Sequence, residues 1–344
     1  MSEPTPSFPI LAAPAPQPVW VVERPRTRWW LYVLFFALTL LSTTLVGAHM
    51  EFNFAHRQPI FSIDDDPGLF LSGILQRPSK LLLGLPFSLT LMCILLAHEM
   101  GHYLYARHYR VYATPPFFIP FPSLFGTLGA FIRIKSPIPS RDALFDIGIA
   151  GPIAGFVPAC AAVGIGIWLS RPLAGSAAES AQLGFLPLIF HVAASGLNIH
   201  APLGLLSLHP IAAAGWIGMF ATAMNLLPGG QLDGGHIVYA VFPRLHRAIS
   251  LLTVFALVLL AKYLWVGWLL WSVVLFTTSY HPPLPSRRTI SGPRKALAVF
   301  GLLMLALAFT PDPFSGASGR EVWPYVRDAA VQLRDGARQT LHRH

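Results

Sequence analysis

Apolar residues in this chain fall in long, nearly unbroken runs rather than at strand-like or amphipathic intervals. A helix that crosses a bilayer needs roughly 20 mostly apolar residues. The first such run is Trp29 to His49, followed by a polar loop with Asp64, Asp65 and Asp66. The second, Leu81 to about Ala106, carries charged residues near its end, and the third, Ala143 to Leu169, is rich in Gly and Ala. Leu183 to Ala194 is too brief to span. Pro210 to Leu227 is a fourth span, Ala248 to Ala261 and Leu264 to Tyr280 pair as a tight hairpin, and Ala296 to Thr310 is a seventh. The pattern predicts an all-α polytopic membrane protein of about six or seven transmembrane helices. Around the transmembrane domain (29–310, core 81–280) it predicts a disordered, Pro-rich cytosolic leader (1–28) and a tail (311–344) with a surface helix. The leader lacks the apolar core of a signal peptide. No repeat of solenoid or propeller length recurs.

Composition agrees. Apolar residues make up 54% and charged residues 11%, against about 25% charged in soluble domains. That excludes an ordinary cytosolic enzyme. The net charge of +9 does not argue for nucleic acid, because the basic residues flank the apolar runs, where topology and an anionic lipid bilayer account for them. With the N-terminus inside, the inner segments hold Arg24, Arg26, Arg28, Arg107, Arg110, Arg133, Lys135, Arg141, Arg244, Arg247, Arg287, Arg288, Arg294 and Lys295. The outer loops between spans hold Arg57, Arg77, Lys80, Arg171 and Lys262, and the C-terminal tail adds five more basic residues on that side. Two cysteines, Cys93 and Cys160, lie inside apolar runs and read as buried thiols rather than a disulfide framework.

The second run ends in His98-Glu99-Met100-Gly101-His102, an H-E-x-x-H pattern. On a helix, His98 and His102 share one face and can share a metal. Glu99 projects about 100 degrees away, beside the metal, where it can take a proton from an attacking water. Two imidazoles suit zinc, and catalytic zinc takes three protein ligands. Ionisable residues inside an apolar run are costly and as a rule functional.

A third ligand must come from elsewhere. After the fourth span the chain reads Asn225-Leu226-Leu227-Pro228-Gly229-Gly230-Gln231-Leu232-Asp233-Gly234-Gly235-His236. Pro228, Gly229 and Gly230 break the helix, and broken backbone at membrane depth is tolerated only against protein or a cavity. Asp233 is the one acid in a long apolar neighbourhood. By residue chemistry alone it is equally a metal ligand or the N-cap of a following helix.

H-E-x-x-H late in one span, with N-x-x-P-x-x-x-L-D-G-G after a later one, resembles the site-2 protease family of intramembrane zinc metalloproteases. Both signatures are intact, and the resemblance covers about Leu81 to Tyr280. It implies one Zn2+ per chain held by His98, His102 and Asp233, with Glu99 as general base and Asn225 supporting the substrate or oxyanion. It implies regulated intramembrane proteolysis of a transmembrane protein substrate, such as an anti-sigma factor or a membrane-tethered transcription regulator. The expected setting is a prokaryotic inner membrane with the active site towards the cytosol. Many members carry a PDZ domain between the two motifs, and no such module stands between them here.

Between the motifs, prolines from Pro115 to Pro122 forbid a helix, and Gly126-Thr127-Leu128-Gly129-Ala130-Phe131 is β-compatible. This segment reads as a β-hairpin or small sheet dipping into the membrane, as in the family, or as an ordinary cytosolic loop. In the first reading, Gly126, Thr127 and Gly129 support the substrate, whose unwound segment would pair with an edge strand. Gly148, Gly151 and Gly155 have the spacing of close helix contact or of an active-site wall. His191, His200 and His209 read as interfacial residues, and His236 and His281 as helix-terminal polar groups, with a role behind the metal ligands open to His236. Two other classes fit the same ligands: a metal-ion transporter, which calls for further ligands along several spans, and a scaffold with structural zinc.

Overall fold

The apolar runs form helices. The computed structural model describes residues 28–61, 76–173, 185–284, 290–314 and 318–324. The leader, the Asp64–Asp66 loop and most of the tail lie outside the described residues. Helix α1 spans Trp29–Ala55. A 3₁₀ segment, Pro78–Gly84, leads into α2, Leu85–His108. Strands β1 (Phe117–Pro120) and β2 (Thr127–Phe131) form an antiparallel hairpin. Helix α3 is Arg141–Leu169, capped by the Ser140 hydroxyl, which accepts from the Ala143 N–H. At its far end β3 (Arg171–Pro172) pairs with β4 (Leu206–Ser207), bracketing the short α4 (Leu188–Gly196). Helices α5 (Pro210–Leu226), α6 (Asp233–Val241), α7 (His246–Tyr263), α8 (Trp268–Thr277) and α9 (Gly292–Ala308) complete the described chain.

Four helical segments among the described residues are long and apolar enough to cross a bilayer: α1, α2 with its 3₁₀ lead-in, α3 and α7. The six or seven expected spans are therefore reached only in part. Helices α5 and α9, with 17 residues each, rise about 25 Å, short of a hydrocarbon core of about 30 Å. The predicted Leu264 to Tyr280 span shrinks to the ten residues of α8, because the chain turns at Trp265–Gly267 and leaves the helix at Thr278.

The core lies where α2, α3 and α5 meet, and its largest buried side chains include Trp216, Phe87, Phe145 and Phe190. Small residues let the backbones approach. A Cβ on Gly166 would lie 2.2 Å from the Ala212 nitrogen, and one on Gly101 2.4 Å from the Ala150 carbonyl oxygen. Outward faces stay apolar, as on α7 (Leu252, Phe255) and α9 (Val299, Leu302), which suits lipid rather than water. Cys93 also faces outward and Cys160 is half-buried, so the thiols are not both interior.

The β-hairpin docks on α1. Tyr32 and Phe35 pack on Phe117, and Phe36 meets Phe118 edge-on. At the hairpin tip the Ser42 hydroxyl donates to the Gly126 carbonyl at 2.6 Å. Ser42 lies midway along α1, so the tip reaches the level of the middle of an apolar helix. The segment is thus a hairpin packed along α1 rather than an irregular loop.

Candidate metal centre

His98, Glu99 and His102 are buried on the last turns of α2. Their room comes from α3. Gly151 faces the His102 ring so closely that a Cβ would fall 2.1 Å from Nε2, and a Cβ on Gly155 would lie 2.9 Å from the His98 Cβ. The spacing of these glycines therefore serves helix contact and the wall of the site at once. His102 Nδ1 lies 2.7 Å from the Ile147 carbonyl oxygen. A carbonyl only accepts, so Nδ1 carries the proton, and in the neutral ring the lone pair lies at Nε2.

Asp233 arrives by a different route. Helix α5 ends at Leu226, and the chain turns through Leu227–Leu232 with Gly230 at φ 62°. Neighbouring helices satisfy this broken backbone. The Ser250 hydroxyl accepts from the Gly230 N–H at 3.1 Å, and His246 Nε2 donates to the Gly230 carbonyl at 3.0 Å. Gly234 and Gly235 let α6 fold back onto the turn, since a Cβ on either would strike backbone carbonyls at 2.2 and 2.3 Å. The N-cap is Leu232, and no side chain caps the helix. Asp233 is thus the first helical residue, and its carboxylate turns to the histidines instead of capping. Its Oδ2 lies 3.3 Å from His98 Nε2 and 3.2 Å from His102 Nε2, and the two Nε2 atoms are 3.1 Å apart.

This triangle tests the fit to a metal. Ligand bonds of about 2.0–2.1 Å in a tetrahedron place neighbouring donor atoms about 3.3 Å apart. Two imidazole lone pairs and one carboxylate oxygen at that spacing fit zinc, with the fourth direction left to the cavity. Among the described residues no other group of three His, Cys, Asp or Glu side chains has this proximity.

The triangle opens into a cavity of about 260 Å³. Glu99 lines it beside the histidines and faces the backbone N–H of Ile132, just beyond β2. Asn225 lies 3.3 Å from His98 Nε2 through its amide nitrogen. Ala130, Phe131, Ile132 and Ile134 close one wall. Gly126, Thr127 and Gly129 stand further up the hairpin and do not line this cavity. The Thr127 hydroxyl donates to the Ile119 carbonyl at 2.8 Å, and Gly126 rests on α1.

A family model described as peptidase family M50 matches residues 86–265, which hold both motifs and more than half of the chain. The chain belongs to peptidase family M50, the site-2 protease family. Among curated relatives, an Arabidopsis thaliana protein named "Probable zinc metalloprotease EGY1, chloroplastic" is 30% identical over 85% of this chain and 55% of its own length. The rice protein of that name (Oryza sativa subsp. japonica) is 30% identical over 66% of this chain and 40% of its own. An Arabidopsis EGY2 is 28% identical over 67% and 42%. The chain spans about half the length, or less, of these curated relatives. Zinc is the cofactor that the family implies, in agreement with the donor set.

The fold also gives partners that the sequence did not show to several polar residues. Arg141, the first residue of α3, bonds the Ala240 and Val241 carbonyls at the end of α6. Arg294 of α9 forks onto Asp146 at 2.8 and 2.6 Å, and Tyr109 donates to the same carboxylate. His236 lines the cavity and pairs with His281 at 3.1 Å, while Tyr239 stacks on His281. His236 is the fourth residue of α6, in its first turn. His191 and His200 line a separate cavity formed with α4, and His209 caps α5 by accepting from the Ile211 N–H. Only the basic character of Arg141 and Arg294 was visible in sequence, since their partners lie about 100 and 148 residues away.

Proposed function

We propose that this chain is the catalytic part of an intramembrane zinc endopeptidase. It would cut a transmembrane protein substrate in or near its membrane segment. The observation that carries this reading is the triangle of His98 Nε2, His102 Nε2 and Asp233 Oδ2, with Glu99 beside it in a cavity walled by the end of a β-hairpin. In this reading, one zinc per chain supplies Lewis acidity to the scissile carbonyl and to the attacking water when bound. Glu99 takes the proton of that water and gives it to the leaving amine. His98, His102 and Asp233 hold the metal, and Asn225 offers its amide to the carbonyl oxygen or the substrate strand. The Phe131–Ile134 segment lies along the cavity as an edge to which an unwound substrate can pair, since a helix conceals its own peptide bonds. Gly126, Thr127 and Gly129 act indirectly, by shaping that hairpin.

The proposed biology is regulated intramembrane proteolysis, with an anti-sigma factor or membrane-tethered transcription regulator as substrate. The active site would face the side that holds the arginine-rich loops, the cytosolic side of a prokaryotic inner membrane. A transporter would require ligands at several depths, and among the described residues the ligands form one group. The test is purified Glu99→Gln, assayed with a fluorogenic transmembrane peptide and for zinc content. Loss of cleavage by 100-fold or more with zinc retained is expected, whereas His98→Ala should lose both. Near wild-type turnover by Glu99→Gln would overturn the mechanism.

A further inference from the structure

We propose that Arg141 is a positioning residue for the metal site: its guanidinium fixes the far end of α6 on α3 and so holds the Asp233 carboxylate opposite His98 and His102. The inference rests on Asp233 being a metal ligand.

Helix α6 has only nine residues, too few to hold a helical conformation or direction by itself. Its N-terminal side continues a turn of Pro and Gly, and Pro243 follows its C-terminal side within two residues. What aims Asp233 is therefore whatever α6 packs against. Arg141 reaches the last carbonyls of α6: Nε lies 2.9 Å from the Ala240 oxygen, and Nη2 lies 2.5 Å from it and 3.3 Å from the Val241 oxygen. These carbonyls lack partners within their own helix, and a cation there also complements the helix dipole. At the other end of α6, Gly148 of α3 lies against it. A Cβ on Gly148 would meet the His236 Cβ at 3.2 Å and the Asp233 carbonyl oxygen at 3.4 Å.

The pattern on α3 is what gives the clamp its meaning. Arg141, Gly148, Gly151 and Gly155 fall within about 80 degrees of one helix face at 100 degrees per residue. Along that face, Arg141 holds the end of α6, Gly148 receives its beginning, and Gly151 and Gly155 receive the His102 and His98 rings. One face of one helix thus registers ligands from two chain segments that are more than 130 residues apart. A guanidinium suits this task because its rigid fork spans adjacent carbonyls, which a single ammonium does not.

The test measures zinc release from full-length protein in detergent to an excess of chromogenic chelator, together with thermal midpoints of the zinc-free forms. Arg141→Ala should release zinc about tenfold faster than wild type, the size of effect seen when residues supporting a ligand are lost. Arg141→Lys should fall between the two. Phe190→Ala, a buried ring on α4, serves as the control for general destabilisation. It should lower the midpoint and leave zinc release unchanged. Wild-type release by Arg141→Ala overturns the proposal, as does equally fast release by Phe190→Ala. If Arg141→Ala does not fold, Arg141→Lys decides by the same criterion. Asp233→Ala separates the two levels: fast release there with slow release from the Arg141 variants refutes only the positioning role, whereas slow release from Asp233→Ala refutes the ligand assignment beneath it.

Discussion

The His102 ring lies directly on the Cα of Gly151, with no space between helix α2 and helix α3 for a methyl group. The lone pair that faces Asp233 is available only because one backbone position on the neighbouring helix carries no side chain. Gly151→Ala would put a Cβ 2.1 Å from Nε2, while Gly155→Ala would put one 2.9 Å from the His98 Cβ. We expect Gly151→Ala to cost most of the bound zinc and all measurable cleavage, and Gly155→Ala to weaken zinc less severely. Metal analysis of the two purified variants checks the order, and full zinc in Gly151→Ala would contradict it.

Zinc should also stabilise the fold. A ligand that binds only the folded state, at a hundred times its dissociation constant, contributes about 2.7 kcal/mol. Wild-type protein should therefore melt at a higher temperature with zinc than after chelation. Asp233→Asn keeps the side-chain shape but removes the charge, so its zinc-dependent shift should largely vanish. Differential scanning fluorimetry in detergent measures both, and an unchanged shift in the variant would remove Asp233 from the ligand set.

Arg294 joins three elements. It forks onto Asp146, reaches Asp142 at 3.5 Å, and its Nη2 donates to the Tyr109 hydroxyl at 3.2 Å. Burial raises the pKa of that phenol, so Tyr109 stays a neutral donor to Asp146 at ordinary pH. Arg294→Ala should cost roughly 2 kcal/mol, the loss of charged hydrogen bonds at a partly buried site. Tyr109→Phe should cost about half as much. Chemical denaturation in mixed micelles reads both, and equal stability of Arg294→Ala and wild type would show that α9 is held by its apolar contacts alone.

Gly126 tests the hairpin. It sits at φ 76°, and an added Cβ would lie 2.8 Å from the Ser42 carbonyl oxygen on α1. A left-handed conformation costs an L-residue about 1–2 kcal/mol before any clash is counted. Gly126→Ala should shift the hairpin without touching the metal ligands. The expected result is normal zinc content with a several-fold higher KM for a transmembrane peptide. Reduced zinc with unchanged KM would separate the hairpin from substrate handling.

Much of the site was legible because its chemistry is local. Four-residue spacing on a helix brings His98 and His102 together whatever surrounds them, and the intact L-D-G-G signature marked Asp233 by resemblance. The residue chemistry of Asp233 left ligand and N-cap equally open. The direction of α6, set by the packing of two glycines against the preceding turn, turns the carboxylate away from the cap and towards His98 and His102. The hairpin was legible as a change from proline to β-compatible residues, but its place along α1 was not. That depends on Ser42, 84 residues away, donating its hydroxyl to the Gly126 carbonyl at the tip.

The sequence by itself determined the helical membrane architecture, the meeting of His98 and His102 on one helix face and the break after Asn225, because apolar run length, helical periodicity and the backbone limits of proline and glycine act over a few residues. Tertiary structure alone decided how many helices are long enough to span, which face of α3 receives the histidine rings, and that Arg141 meets α6 and Arg294 meets Asp146. Those outcomes depend on steric fit and charge pairing between segments far apart in the chain. No local preference encodes them.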